Sequence, residues 1–146
     1  MKITVKQKTD APDIEVLISC ASVDSTVCRV VSVLSAIDAK LTCRKNGTIF
    51  QIEAGRILYI ESVERKTFLY TEDQIYETDK RLYELEQALK NCSFFRASKS
   101  VIINLQRVQS LRPELGARLL LTMDNQEQII VSRQYAGTIK SALEVD

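Results

Sequence analysis

The stretch that decides the fold is Phe94-Phe95-Arg96-Ala97-Ser98-Lys99-Ser100-Val101-Ile102-Ile103-Asn104-Leu105. Its two phenylalanines predict a core anchor, and the apolar run at 101–103 predicts a buried strand. The segment between them carries four polar donors: Arg96, Ser98, Lys99 and Ser100. A helix or strand would bury these groups at a cost, so we expect them to meet an acidic partner outside the fold. Phosphate is the obvious candidate.

The same stretch resembles the central signature of the LytTR family of bacterial DNA-binding domains, which reads roughly Phe-Phe-Arg-x-His-x-Ser-x-x-x-Asn. Three further segments match the family pattern in order. Residues 57–62 resemble its first core strand, residues 82–86 its helix, and residues 130–135 its closing motif. The matches span about residues 46–143, which is most of the chain.

The resemblance implies a mainly β fold with short helices (α+β), an elongated antiparallel-sheet domain over residues 46–146. Residues 1–45 then form an extension that precedes this domain. Residues 14–20 predict a buried strand, and Asp24 or Ser25 is expected to cap a helix. Apolar positions lie on one stripe of that helix: Val27, Val30, Val31, Leu34 and Ile37. We expect the extension to complete the core; a dimer surface or a partner site are the alternatives.

Turn signals divide the rest of the chain into short elements. Asn46-Gly47 predicts a hairpin, followed by antiparallel strands at 49–52, 57–61, 67–71 and 75–77. Thr78 or Asp79 is expected to cap the helix that contains residues 82–89. Strands are predicted at 109–111, 119–123 and 128–131, with a loop at 112–117, and Ser132 is expected to begin a final helix.

Length and charge narrow the class of protein. The chain has 146 residues, enough for one core, so a separate receiver or enzyme domain is not expected and the protein is predicted to stand alone. The formal net charge is only +1, so any surface for nucleic acid must be local. Neither an apolar run of membrane-spanning length nor a signal-peptide core occurs. We expect a cytoplasmic protein without membrane insertion.

Catalysis and metal binding are not expected from this composition. The sequence has no histidine, and its four cysteines contain no Cys-x-x-Cys pair, so neither a zinc site nor a histidine-activated nucleophile is predicted. Four scattered glycines form no phosphate-binding loop. We expect no cofactor and no enzyme activity, and we interpret Cys20, Cys28, Cys43 and Cys92 as reduced, buried thiols.

The family resemblance implies that loops of the sheet, and not a recognition helix, enter successive major grooves of DNA. By motif position, five residues are expected to contact bases: Lys66, Thr67, Lys99, Arg133 and Gln134. Arginine and lysine donate to guanine, and glutamine pairs with adenine, so these residue types suit base recognition. Six residues are expected to contact phosphates: Arg65, Arg96, Ser98, Ser100, Arg107 and Ser132.

Several of these residues have structural alternatives. Arg65 and Lys66 could form a solvated turn, and Arg96 could pair with a carboxylate such as Glu61. Ser132 is most simply a helix N-cap. Asn104 is expected to hydrogen-bond to backbone in the turn after its strand.

The sequence also departs from the family pattern. Ser98 stands where the family often has histidine, as do Lys66 and Thr67 in the first loop, so base preference is expected to differ. The prediction is a non-catalytic regulator that binds double-stranded promoter DNA, as a homodimer on repeated half-sites, with a regulatory protein partner possible. The alternative is a protein-interaction or sensory module on the same fold without DNA binding.

Overall fold

The computed structural model describes residues 1–143. Its helices are α1 (Ser25–Asp38), α2 (Leu82–Ala88) and α3 (Arg133–Ala142). Its strands are β1 (Lys40–Lys45), β2 (Thr48–Glu53), β3 (Tyr59–Val63), β4 (Lys66–Tyr70), β5 (Ile75–Thr78), β6 (Phe94–Arg96), β7 (Val101–Asn104), β8 (Val108–Glu114), β9 (Arg118–Met123) and β10 (Gln128–Val131). Single turns of 3-10 helix occur at Ala54–Arg56 and Leu105–Arg107.

A seven-stranded antiparallel sheet forms the centre of the fold, in the order β2-β1-β5-β4-β3-β7-β6. Short turns produce the antiparallel pairs. Asn46 and Gly47 have φ values of 51° and 79°, as a two-residue type I′ hairpin requires, and they join β1 to β2. The predicted fold class, mostly antiparallel sheet with short helices, is confirmed.

A second sheet of three strands, in the order β10-β9-β8, shares a core with part of the first. Tyr59 and Ile103 from the large sheet pack in one cluster with Leu121 of β9 and with Ala136 and Ile139 of α3. The other cluster joins the leucines of α2 to the opposite face of the large sheet. Helix α3 is therefore fixed by packing next to the strands that follow the signature stretch.

The predicted strand at residues 14–20 is wrong. These residues form no strand, and the exposed fraction of Ile14 is 90% and that of Leu17 is 85%. A strand needs a neighbour for its backbone groups, and residues 14–20 pair with none. Helix α1 forms as predicted, with Asp24 accepting a hydrogen bond from the Val27 amide at 3.0 Å, but it buries none of its residues completely.

Strand β1 falls within residues 1–45 and pairs with β2 and β5, which lie beyond residue 45; the division after residue 45 stays a prediction. Two other boundaries differ from the prediction. Arg81, and not Thr78 or Asp79, is the N-cap of α2, because Thr78 belongs to β5. Strand β8 continues through Arg112 and Pro113, where a loop was expected. Both residues pair with β9, and the other side of β8 is an edge of the sheet, where a proline is tolerated.

The expectation of four buried thiols is half wrong. Cys43 and Cys92 are buried, but Cys20 and Cys28 are exposed. Burial raises the pKa of the Cys43 and Cys92 thiols, which lowers their thiolate fraction at neutral pH.

Thiol titration of the native protein should therefore show two fast and two slow groups. With a chromogenic disulfide at pH 8, Cys20 and Cys28 are expected to react at least tenfold faster than Cys43 and Cys92, which react at the fast rate only in denaturant. The variant C20S/C28S should lose the fast phase alone. Four equal rates in the folded protein would contradict the described burial.

Candidate nucleic-acid interface

The loop between β6 and β7 is held by Arg96, whose side chain is only 17% exposed. Its Nε lies 3.3 Å from Glu86 Oε1 on α2, and its NH1 donates to the Lys99 carbonyl at 2.7 Å. The carboxylate partner is thus Glu86 and not Glu61, which accepts a hydrogen bond from Tyr70 instead. The prediction that Arg96 contacts phosphate does not suit a guanidinium with two protein partners, and Arg96 is better described as positioning the loop.

The tip of this loop presents Lys99. The Ser100 amide donates to Ser98 Oγ at 3.3 Å, which forms a tight serine turn around the lysine. Lys99 is exposed, and across residues 1–143 it forms no salt bridge. Its ammonium group is therefore available to a partner.

Two backbone hydrogen bonds connect the β6–β7 loop to its neighbours. The Ser132 amide donates to the Ala97 carbonyl at 2.8 Å, which places the start of α3 beside the loop. The Ser62 amide donates to the Ser100 carbonyl, also at 2.8 Å, which joins the loop to β3. Backbone bonds of this length hold the three segments in a defined arrangement.

The loop and the start of α3 enclose a shallow depression of about 680 Å³. Six of the predicted contact residues line it: Ser98, Lys99, Ser100, Ser132, Arg133 and Gln134. They form two runs, 98–100 and 132–134, and every residue of one run is 32 or more positions from every residue of the other. Tertiary packing therefore brings the two runs together. The depression is lined by hydroxyl groups, an amide and two cations, a set that suits phosphate and base edges.

Ser132 stands at the N-cap of α3, as predicted, but its side chain makes no capping hydrogen bond. Arg133 and Gln134 precede Tyr135, whose amide is the first in α3 to donate to the Ser132 carbonyl, so their two amides begin the helix at the depression without an intrahelical partner. Sequence reasoning assigned this site to side chains alone and missed these backbone donors. A helix start directly after a serine is the signal that could have found them.

At the turn between β3 and β4, two of the three predicted contact residues are exposed and the third is buried. Glu64 and Arg65 have φ values of 50° and 68° and form the turn itself. Arg65 and Lys66 are exposed, whereas Thr67 is 5% exposed and faces the core. Alternation along a strand places neighbours on opposite faces, so Lys66 and Thr67 cannot both reach a partner. The predicted base contact by Thr67 does not suit a side chain that faces the core.

Arg107 lies in a different environment. Its Nε donates to the Gly55 carbonyl at 2.9 Å and its NH1 lies 3.5 Å from Asp124 Oδ2. It lines a separate groove, of about 340 Å³, beside α1. The predicted phosphate contact is not supported, because the guanidinium already binds the fold.

Loss of the Arg96 side chain should loosen the loop. We expect Arg96→Ala to lower the free energy of unfolding by about 1–2 kcal/mol, because Glu86 and the Lys99 carbonyl both lose a donor. Arg96→Lys should restore little of this stability, because a single ammonium nitrogen cannot occupy the positions of both Nε and NH1. Urea denaturation measures the change.

Arg112→Ala is the matched control, since Arg112 is 69% exposed and pairs with Glu114 at the surface. Its expected effect is below about 0.5 kcal/mol. An equal stability for Arg96→Ala and the wild type would contradict the positioning role.

Antiparallel sheets that present polar loops, rather than a recognition helix, define a class of β-rich DNA-binding domains. The profile of the LytTr DNA-binding domain family matches residues 47–144. The chain belongs to this family.

Relatives and a solved structure agree with that assignment. The sensory transduction protein LytT of Bacillus anthracis is 28% identical over 106 residues, 73% of this chain and 43% of that protein. The transcriptional regulatory protein YpdB of Escherichia coli is 27% identical over 108 residues, 68% of this chain and 44% of that protein. The chain thus spans less than half the length of these relatives. A solved LytTr DNA-binding domain from Bacillus cereus superposes with a TM-score of 0.68 at 26% identity, over 73% of this chain and 97% of that domain.

Within residues 1–143, no helix has the length and apolar character to cross a membrane. In the same range, no three histidine, cysteine or acidic residues lie close enough to hold a metal ion.

Proposed function

We propose that this protein is a transcriptional regulator that binds double-stranded DNA sequence-specifically through the β6–β7 loop and the start of α3. The observation that carries the proposal is the depression in which Lys99, Arg133 and Gln134 meet. Family membership supports DNA as the partner, since the matched domain is a DNA-binding one. Both cations of the depression, Lys99 and Arg133, are exposed, which suits contact with a polyanion.

The residue types suggest a division of roles. Lys99 and Arg133 can donate to guanine O6 and N7, and Gln134 can pair with adenine N6 and N7. Lys66 is a further candidate for base contact, from the β3–β4 turn. Contacts to phosphate fall to Arg65 and to the three serines that line the depression, Ser98, Ser100 and Ser132.

The backbone amides at the start of α3 add to this phosphate site. Unpaired amides and the positive end of the helix dipole both favour an anion. A phosphate there would orient the helix start on the duplex, while the neighbouring Arg133 and Gln134 reach base edges. Specificity then comes from several short segments that a rigid sheet holds in place.

Binding as a dimer on repeated half-sites is also part of the proposal. One copy places four exposed cations at the interface, Arg65, Lys66, Lys99 and Arg133, and neutralisation of about four phosphates gives a log-log salt slope of roughly −4. Two copies neutralise about eight, for a slope of roughly −7. A titration from low to physiological salt is expected to give the steeper value, and the shallower value would indicate a single bound copy.

Direct titration tests DNA binding itself. Purified protein is titrated into labelled duplex from the region upstream of its own gene, with scrambled duplex as competitor, at two salt concentrations. Tight binding that resists the competitor and weakens with salt is expected. Absence of binding at low salt would contradict the proposal and favour the protein-interaction module.

A further inference from the structure

Strand β2 is an unprotected sheet edge. Natural edge strands are blunted by shortness, by lysine or proline, or by a bulge, because a bare edge pairs with other chains. β2 has six residues, Thr-Ile-Phe-Gln-Ile-Glu, and pairs with β1 at six consecutive positions without a shift. Ile49 is 72% exposed and Phe50 37% exposed. In the part of the chain that the structure describes, no strand covers its outer side.

The other three edges of the two sheets are blunted. β6 has three residues and β10 has four. β8 carries Pro113 and a register shift between Val108 and Ser110. Of the described edges, β2 alone is both long and regular, so it differs from the others in kind.

Residues 14–20, which we call the N-terminal arm, are the complementary element. Their sequence, Ile-Glu-Val-Leu-Ile-Ser-Cys, is rich in strand-forming residues. Within residues 1–143 the arm pairs with no strand of its own chain, and Ile14, Val16 and Leu17 are 90%, 58% and 85% exposed. The described residues therefore include a strand-forming segment, the arm, that has no strand to pair with, and an edge strand, β2, whose outer side is unpaired.

We propose that two copies of the chain exchange their arms, each arm adding one more strand to the β2 edge of the other copy. The exchange is reciprocal, so a two-fold dimer pairs both arms with both β2 edges and leaves neither an unpaired arm nor an unpaired β2 strand for a third copy. It specifies how the dimer of the proposed function is held together, and it operates without DNA.

Charge favours the same pairing. Residues 10–15 carry three carboxylates and no cation: Asp10, Asp13 and Glu15. The β1–β2 hairpin carries three cations, Lys40, Arg44 and Lys45, against one carboxylate, Glu53. Arg44 is already paired with Glu77 and Asp79. Lys45 donates to the neutral Gln74 side chain, so both lysines can attract the carboxylates of Glu15 in the arm and of Asp10 and Asp13 just before it.

The hairpin geometry identifies which β2 residues bind the arm. In a two-residue hairpin the pair that flanks the turn, Lys45 and Thr48, is hydrogen-bonded, and bonded pairs then alternate along the strands. Ile49 and Gln51 therefore direct their backbone N–H and C=O groups toward the free edge. A proline at position 51 removes an outward donor and leaves the β1 ladder intact.

Two proline variants of the full chain test the exchange without DNA. V16P/L17P interrupts the arm in either register, because adjacent strand residues direct their N–H groups to opposite sides, and Gln51→Pro interrupts the edge; Gln7→Pro and Gln51→Thr are the matched controls. Light scattering after size exclusion at micromolar concentration measures the mass. The wild type and both controls are expected at twice the chain mass of 16.6 kDa. Both proline variants are expected at the chain mass, with a cooperative thermal transition that shows a folded monomer.

Three outcomes would overturn the exchange. A wild type that stays at the chain mass up to high micromolar concentration means that the arm is free or folds onto its own edge. A dimer that survives either proline variant means that another surface joins the copies. A control that dissociates as the variants do means that the arm acts without strand pairing. None of these bears on DNA binding by a single copy, which the DNA titration measures separately.

Discussion

Replacing Lys99 and Arg133 together by alanine is expected to remove specific DNA binding. Each bidentate contact to a base contributes about 1–3 kcal/mol of discrimination. The two side chains line one depression, so their effects need not add. We expect a combined loss of about 3–5 kcal/mol, roughly a hundredfold to several thousandfold in affinity. Both side chains are exposed and unpaired in the described residues, so stability should change little.

The control removes two positive charges elsewhere. Arg56 and Lys90 are exposed and lie outside the depression, so R56A/K90A has the same net charge as K99A/R133A. It should weaken binding only through the general salt-dependent attraction, by tenfold at most. Fluorescence anisotropy at one fixed salt concentration compares the two. A folded K99A/R133A variant that binds as tightly as the control would exclude the depression from the interface.

Asn104→Leu is expected to cause the largest loss of stability among the single substitutions considered. Asn104 is 2% exposed. Its Nδ2 donates to the Ile57 carbonyl at 2.8 Å, and its Oδ1 accepts from the Gln106 amide at 3.0 Å. Leucine fills the space but satisfies neither group, so the buried Ile57 carbonyl and the partly buried Gln106 amide lose their partners. The expected loss is about 2–4 kcal/mol.

Thermal and urea denaturation measure this change, with Asn91→Ala as the control. Asn91 is exposed after α2, so its replacement should cost less than about 0.5 kcal/mol. A melting temperature for Asn104→Leu within two degrees of the wild type would show that this amide does not hold β3 to the turn after β7.

The sequence predicts local elements well where local chemistry decides them. A type I′ turn requires positive φ at both central residues, and Asn46 and Gly47 adopt such values readily. The β1–β2 hairpin was therefore predictable from these two residues. The interpretation of Asn104 as a backbone ligand in its turn is confirmed by its bond to Gln106. Residues 14–20 show the opposite case, because strand-forming residues become a strand only where a neighbour is present.

The candidate site was predictable in its residue types and not in its contacts. Lys99 and Arg133 were identified from the motif, but their meeting depends on the bond between Ser132 and Ala97. The role of Arg96 depends on Glu86, which belongs to a helix that sequence spacing does not position. Thr67 and Lys66 are neighbours in sequence, and only the register of β4 decides which of them is exposed.

DNA binding through the depression is tested most directly by a map of backbone amide shifts in the isotope-labelled protein as duplex from its own upstream region is added. The largest shifts are expected at residues 98–100 and 132–134, with smaller ones at the β3–β4 turn. Shifts confined to other surfaces, such as the arm or the groove beside Arg107, would contradict binding through the depression.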